Sequence, residues 1–243
     1  MFPIRDHNPS GRTPYVTYAL IAANVVIFAL MLPLYGDLRA LDAAYRAWGL
    51  VPATGEPLAY LTSMFLHAGF LHLGGNMLFL WVFGDNLEDE MGHLPFLGFY
   101  LVSGVASAWA QAAAEPASTI PIVGASGAIA GVMGGYLLLF PKARVDVLFI
   151  IVILIRVIPI PAWIVLGVWF ALQLVSGAST PTDGGGVAYW AHAGGFVAGL
   201  TMTVPLWLRR GGPAFWSRTA GHPPHPEATY PLSRSSIPRV PRR

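Results

Sequence analysis

Apolar residues in this chain come in runs of about twenty, separated by short polar stretches rich in proline and glycine. The first run, residues 15–34, has only Asn24 as a strongly polar member. The second, 65–83, is interrupted by His67, His72 and Asn76 but by no formal charge. A third covers 94–114, and a fourth, rich in glycine, covers 120–140. Residues 147–175 form a longer stretch that holds Arg156, Pro159 and Pro161. Its first part reads as an interfacial or cytoplasmic approach, and residues 162–175 onward as the fifth run. The sixth is 187–208. About 20 apolar residues in a helix cross roughly 30 Å of hydrocarbon. Open sheet edges cannot face lipid, and the alternating ten-residue strands of a membrane barrel are absent, so helices are expected. The pattern predicts an all-α, polytopic membrane protein with six transmembrane helices.

Composition agrees. Of 243 residues, 55% are hydrophobic and 11% charged, and the mean hydropathy is +0.58. A soluble domain carries about 25% charged residues. So few charges cannot cover one water-soluble globule, which excludes a disordered chain, a nucleic-acid-binding protein and an ordinary cytosolic enzyme. With no cysteine, disulfides, thiolate nucleophiles and Cys-ligated metals are excluded.

Charge placement sets the expected orientation. With six alternating spans and a cytoplasmic N-terminus, the cytoplasmic side holds Arg5, Arg12, Lys142, Arg144, Arg156, Arg209, Arg210, Arg218, Arg234, Arg239, Arg242 and Arg243. The outer loops hold only Arg39 and Arg46. Both termini are therefore expected in the cytoplasm of a multi-pass cell (inner) membrane protein. Three segments are expected: a polar N-terminal piece (1–14) without a signal-peptide core, a six-helix membrane domain (15–210), and a disordered Pro- and Arg-rich tail (211–243). The outer loop 35–62, with Tyr45, Trp48 and Leu50, is amphiphilic and expected at the interface.

Polar side chains inside spans are costly and each asks for a reason. His72 and Asn76 stand four apart, on one helix face, and both can donate a hydrogen bond without charge. Alone, such a pair is more often interhelical glue, and His67 reads as structural. Gly124-Ala125-Ser126-Gly127 opens the fourth run. A serine at a helix start has free backbone N–H groups beside it that bind developing negative charge. Gly127 and Gly131 then form a small face that brings another helix close. Ala191-His192-Ala193-Gly194-Gly195, continuing to Gly199, opens the sixth run with the same spacing. If the fourth and sixth helices are partners, His192 meets Ser126 at similar depth, as a nucleophile and its general base must. The bland alternative is an interhelical hydrogen bond.

Together these elements resemble the rhomboid family of intramembrane serine proteases, in its bacterial form. His72-x-x-x-Asn76, Gly124-x-Ser126-Gly127 and Ala191-His192-x-x-Gly195-x-x-x-Gly199 carry the resemblance, and Gly84 and Glu88 resemble the family's ending of the second span. The resemblance implies a six-helix rhomboid-like bundle over roughly residues 14–210. Ser126 would be the nucleophile and His192 the general base. His72, Asn76 and the Ser126 backbone N–H would form the oxyanion hole, with no metal or cofactor. Transmembrane proteins would be the substrates, cut near the outer face and entering between the second and fifth spans. No Asp or Glu falls inside an expected span, so the chain allows a dyad rather than a triad.

Several positions depart from the family pattern. Leu58 and Ala59 stand where many relatives carry Trp-Arg. Ala130 stands where an aromatic often stacks on the catalytic histidine, so His192 must be oriented by packing or by another ring. The main alternative is a non-proteolytic, client-binding relative, although such proteins usually lack the serine or the histidine. A transporter is disfavoured by the absence of an intramembrane charge or an internal repeat, and a zinc protease by the absence of H-E-x-x-H.

Overall fold

The computed structural model describes residues 2–151, 154–179 and 187–230. In chain order the elements are β1 (Phe2–Asp6), α1 (Tyr15–Met31), α2 (Leu38–Trp48), α3 (Ala59–Thr62), α4 (Phe70–Met91), α5 (His93–Ala114), α6 (Ser126–Leu139), β2 (Arg144–Ile151), β3 (Leu154–Pro161), α7 (Ala162–Ser179), α8 (Tyr189–Arg209) and α9 (Pro213–Thr219). The fold is mostly helical. α6 runs through its centre, packed by α4, α5 and α8. Every residue of α6 from Gly127 to Tyr136 is buried, which its glycines and alanines permit by leaving little side chain between helices.

Each of the six expected runs contains a helix, but the ends differ. Tyr15–Gly36, His93–Ala114, Ala162–Ser179 and Tyr189–Arg209 are long and apolar enough to cross a membrane. The pair Ala59–Phe65 and Phe70–Met91, bent by 95°, makes a fifth candidate if taken together. α6 has only 14 residues, about 21 Å at 1.5 Å per residue. Residues 120–125, part of the fourth apolar run, lie outside this helix, and Leu50 bridges Ile122.

The second run also continues past its expected end at Phe83. α4 carries on through Asp85, Glu88, Asp89 and Glu90 because these acids have work in the fold. Glu88 is buried and caps the start of α1, accepting from the Val16 N–H at 2.8 Å, the Thr17 N–H at 2.7 Å and the Thr17 hydroxyl at 2.7 Å. His93 Nδ1 lies 2.6 Å from the same carboxylate. Gly84 lets α1 cross here, since a Cβ would press on Thr17.

One element was not foreseen. β1, β2 and β3 form an antiparallel sheet in that order, pairing Asp6 with Val145 and Arg144 with Pro161. Part of the stretch read as an interfacial approach is therefore a hairpin. Arg5 and His7 hold Asp146 at 2.5 and 2.9 Å. Burial alone would push the Asp146 carboxyl up, but these hydrogen bonds outweigh it and hold it below its ordinary value.

The expected disordered tail is corrected over its first part. Pro213–Thr219 is helical, Phe215 is buried, and Trp216 Nε1 donates to the Leu138 carbonyl at 2.9 Å. Further along, the Ala228 N–H donates to the His7 carbonyl at 2.9 Å. Two aromatic side chains with apolar surface to bury explain the ordering. Residues 180–186 and 231–243 lie outside the described residues.

Asp6 accepts from the Tyr136 hydroxyl at 2.6 Å within the bundle end. Burial pushes its carboxyl up from 3.8 to about 8, and the hydrogen bond from Tyr136 offsets only part of this. Between those values the folded chain keeps a proton that the unfolded chain has released, so stability falls as pH rises across that window. Melting temperature in detergent should therefore drop from about pH 5 to about pH 8 more steeply for wild type than for Asp6→Asn. Parallel slopes would show that Asp6 does not carry the effect.

Candidate active site

α6 starts where it does because the residues before it cannot be helical. Pro121 breaks the run, and Gly124 has φ of +132°, a region that disfavours any side chain. The Gly124 N–H is anchored on the Ser63 carbonyl at 2.9 Å. Ser126 is thus the first helical residue, and the early N–H groups of α6 lack intrahelical acceptors. Gly124 has a second task. A Cβ there would lie 2.8 Å from both His72 Nε2 and Cε1, and 3.6 Å from Ser126 Oγ. The His72 ring and the Ser126 hydroxyl therefore flank a single point beside a bare backbone.

α6 and α8 touch backbone to backbone. A Cβ on Gly195 would overlap the Gly127 carbonyl, and one on Gly199 the Gly131 carbonyl. On the reverse faces, Ser107 and Ser103 of α5 fill the space over Gly127 and Gly131. His192 lies one turn before Gly195, and its ring meets the start of α6. His192 Nε2 is 2.7 Å from Ser126 Oγ.

The other ring nitrogen also has a partner. His192 Nδ1 is 2.8 Å from Oε1 of Gln173, on α7. Trp169, one turn earlier on α7, lays its indole against the imidazole, with centroids 5.7 Å apart and planes tilted by 34°. That indole supplies the ring which Ala130 does not. On the far wall, the Ala68 N–H donates to His72 Nδ1 at 3.3 Å. A neutral His72 then carries its proton on Nε2, the nitrogen beside Gly124. Asn76 Nδ2 donates to the His72 carbonyl at 2.9 Å.

These groups line one cavity of about 630 Å³. It runs from the loop residues Glu115, Ser118, Pro121 and Val187 inward past His72, Asn76, Ser126, Trp169 and His192 to Met133. Gln111 also lines it, and its Oε1 accepts from the Ala191 N–H at 3.0 Å, holding the start of α8. His67 packs edge-on to His72, with ring centroids 5.1 Å apart.

The structure thus brings Ser126, His192, His72 and Asn76 to one cavity, with Gly124 and Gly127 on its wall and Gly131, Gly195 and Gly199 in the α6–α8 contact. Sequence reasoning missed Gln173, Trp169 and Gln111. The signal for the two glutamines was present: each is a strongly polar residue inside an apolar run, the same mark that singled out Asn76.

Long apolar helices around a cavity into which a few polar side chains project, with a serine hydroxyl against an imidazole, define an integral membrane protein with a polar cluster inside its bundle. The chain belongs to the rhomboid family: the Rhomboid domain matches residues 54–209. It is 32% identical over 200 residues to the mitochondrial Rhomboid protein 1 of Saccharomyces cerevisiae, covering 76% of this chain and 51% of that protein. It is 33% identical over 207 residues to the Rhomboid protease GluP of Bacillus subtilis, covering 84% of this chain and 37% of that one. The mitochondrial presenilin-associated rhomboid-like protein of Homo sapiens matches at 29% over 133 residues, 54% of this chain and 34% of that protein. The chain therefore spans about half the length of the yeast relative and less of the others.

Glycine packing is the testable basis of this geometry. Gly199→Ala forces a methyl group into the Gly131 backbone and should cost about 1–3 kcal/mol, seen as a lower melting temperature in detergent. Gly98→Ala, at an exposed position with open space around it, should be neutral or slightly stabilising. Equal behaviour of the two variants would refute the close contact.

Proposed function

We propose that this chain is an intramembrane serine endopeptidase that cleaves transmembrane segments of other proteins through a Ser126–His192 dyad and an acyl-enzyme. The observation that carries the reading is the 2.7 Å approach of Ser126 Oγ to His192 Nε2, within a cavity that also holds His72 and Asn76. His192 Nε2 takes the hydroxyl proton as Ser126 Oγ attacks the scissile carbonyl carbon. The carbonyl oxygen becomes an oxyanion, and His72 Nε2–H, Asn76 Nδ2–H and the Ser126 backbone N–H are its donors. On collapse the C–N bond breaks, and the imidazolium returns its proton to the leaving amine. Water then enters; His192 takes one of its protons, the hydroxyl adds to the acyl carbon, and Ser126 leaves with the proton restored.

A peptide bond inside a helix is shielded by its own hydrogen bonds. Substrate must therefore unwind to reach Ser126, which favours small residues at the cut and helix-breakers nearby. Entry between α4 and α7 is part of this proposal. So are six spans, a cell-membrane location and cytoplasmic termini. The shared end of β1, β2, β3 and α9 supports the last, because Arg5, Lys142, Arg144, Arg210 and Arg218 cluster on these segments and the chain beside them. On this orientation the cavity mouth, at the opposite end, lies at the outer face. An intact and hydrogen-bonded serine–histidine pair weighs against a purely client-binding role.

With purified protein in detergent and a fluorogenic transmembrane peptide, Ser126→Ala and His192→Ala should give no detectable cleavage. Asn76→Ala should lower kcat by about 10²–10³-fold, the usual cost of one oxyanion donor. A fluorophosphonate should label wild type at Ser126. Full cleavage by Ser126→Ala would end this reading.

A further inference from the structure

We infer that Gln173 is a positioning residue that fixes the tautomer of His192 and so decides which ring nitrogen faces the serine. The inference rests on the Ser126–His192 reading above. A neutral imidazole has one N–H and one lone pair. With the proton on Nε2, the ring would donate to Ser126 Oγ and could not act as its base. Only the tautomer with the proton on Nδ1 presents a lone pair to the hydroxyl.

The side chain of Gln173 selects that tautomer, provided its oxygen and not its nitrogen faces the ring. A neighbouring hydrogen bond decides this. Gln173 Nε2 donates to the Trp169 carbonyl at 3.3 Å. Turning the amide over would set Oε1 against that carbonyl oxygen, two acceptors with no proton between them. The amide is thus held with Oε1 toward His192 Nδ1, at 2.8 Å, and an acceptor there requires Nδ1–H. Nε2 is left as the acceptor for Ser126, at 2.7 Å. A backbone carbonyl on α7, a glutamine amide, an imidazole and a serine hydroxyl form one chain with a single consistent direction.

The setting of Gln173 supports a role beyond packing. α7 is largely exposed, with Trp163, Val168, Leu172 and Val175 facing outward. Its buried residues are Ala162, Leu166 and Gln173, a stripe spaced for contact with the bundle. On that stripe an apolar side chain would pack without the cost of burying an amide. Among the described residues no carboxylate is hydrogen-bonded to His192, so the amide oxygen holds the place that an aspartate takes in a triad. The amide differs in one respect: it orients the ring without accepting its proton or adding a charge.

The test compares wild type, Gln173→Met, Gln173→Glu and Ser126→Ala on the fluorogenic transmembrane peptide, with nitrogen-15 NMR of His192. His192 is assigned by its absence from the His192→Gln spectrum. Methionine keeps the length and apolar bulk but removes the acceptor. Gln173→Met should lower kcat by about 10–100-fold, the range for losing a partner that orients a functional histidine, with KM nearly unchanged. Gln173→Glu, which restores an acceptor oxygen, should recover most of the loss. In wild type with neutral His192, the spectrum should show the proton on Nδ1; in Gln173→Met the other tautomer should appear. Wild-type kcat in Gln173→Met, with Ser126→Ala inactive, would overturn the role of Gln173 and leave the dyad standing. A wild-type ring protonated on Nε2 would overturn it equally, and that spectrum decides alone if the methionine variant does not fold. Cleavage by Ser126→Ala would remove the dyad itself.

Discussion

The architecture depends on a contact between two bare stretches of backbone. α6 and α8 approach so closely that Gly195 and Gly199 sit on the carbonyl groups of Gly127 and Gly131. In lipid there is little hydrophobic gain from pressing two apolar helices together, so association relies on dense packing. Glycine serves this by removing everything between the axes. Each glycine inside a helix costs about 1 kcal/mol relative to alanine, and α6 carries four among its 14 residues. The spacing of the contact also sets the register. With Gly195 against Gly127, the side chain one turn earlier on α8 must fall at the start of α6, where Ser126 stands. The 2.7 Å approach of imidazole to hydroxyl follows from a packing rule applied three residues away.

A second regularity concerns polar groups in an apolar body. Several are answered across elements rather than within one. Glu88 of α4 caps α1, Tyr136 of α6 answers Asp6 of β1, and Gln111 of α5 holds the start of α8. Gln173 of α7 answers His192 of α8. Since leaving a buried polar group unpartnered costs more than a typical hydrogen bond's net gain, each such pair penalises any other arrangement of its two elements. At the cavity, His72 and Ser126 instead line an open space of about 630 Å³.

What could be read from the chain, and what could not, divides along the range of the forces involved. Apolar runs report local burial, so each helix of the bundle was visible, as were the glycine spacings on α6 and α8. Helix ends were not, because distant partners decide them. Glu88 extends α4 because α1 needs a cap, and α6 begins only at Ser126, after Ile122 has paired with Leu50. The sheet was hidden for another reason. A short β-branched apolar run such as Arg144–Ile151 cannot be told from buried helix by periodicity alone, and its first partner, β1, lies at the other end of the sequence. α9 was concealed by averaging: Phe215 and Trp216 sit in a segment whose overall composition reads as solvated. Gln173 obeyed the rule that exposed Asn76, yet no motif drew attention to it.

The chemistry implied by the site fits its surroundings in a particular way. Ser126, His192, His72, Asn76 and Gln173 are all neutral at rest when both imidazoles are unprotonated. A triad built on a carboxylate would place a permanent charge beside the imidazole, and desolvating that charge in this setting would need several further hydrogen bonds to offset it. An oriented amide avoids the requirement. On the mechanism proposed above, charge would exist only during reaction, as an imidazolium and an oxyanion created together on opposite sides of Ser126. Their mutual attraction is strongest where dielectric screening is weakest, so the surroundings that penalise a resting ion favour this transient pair. A neutral cluster of this kind can remain inside a helical bundle without a buried ion to destabilise it, and the proposed donors would already be aimed before substrate arrived.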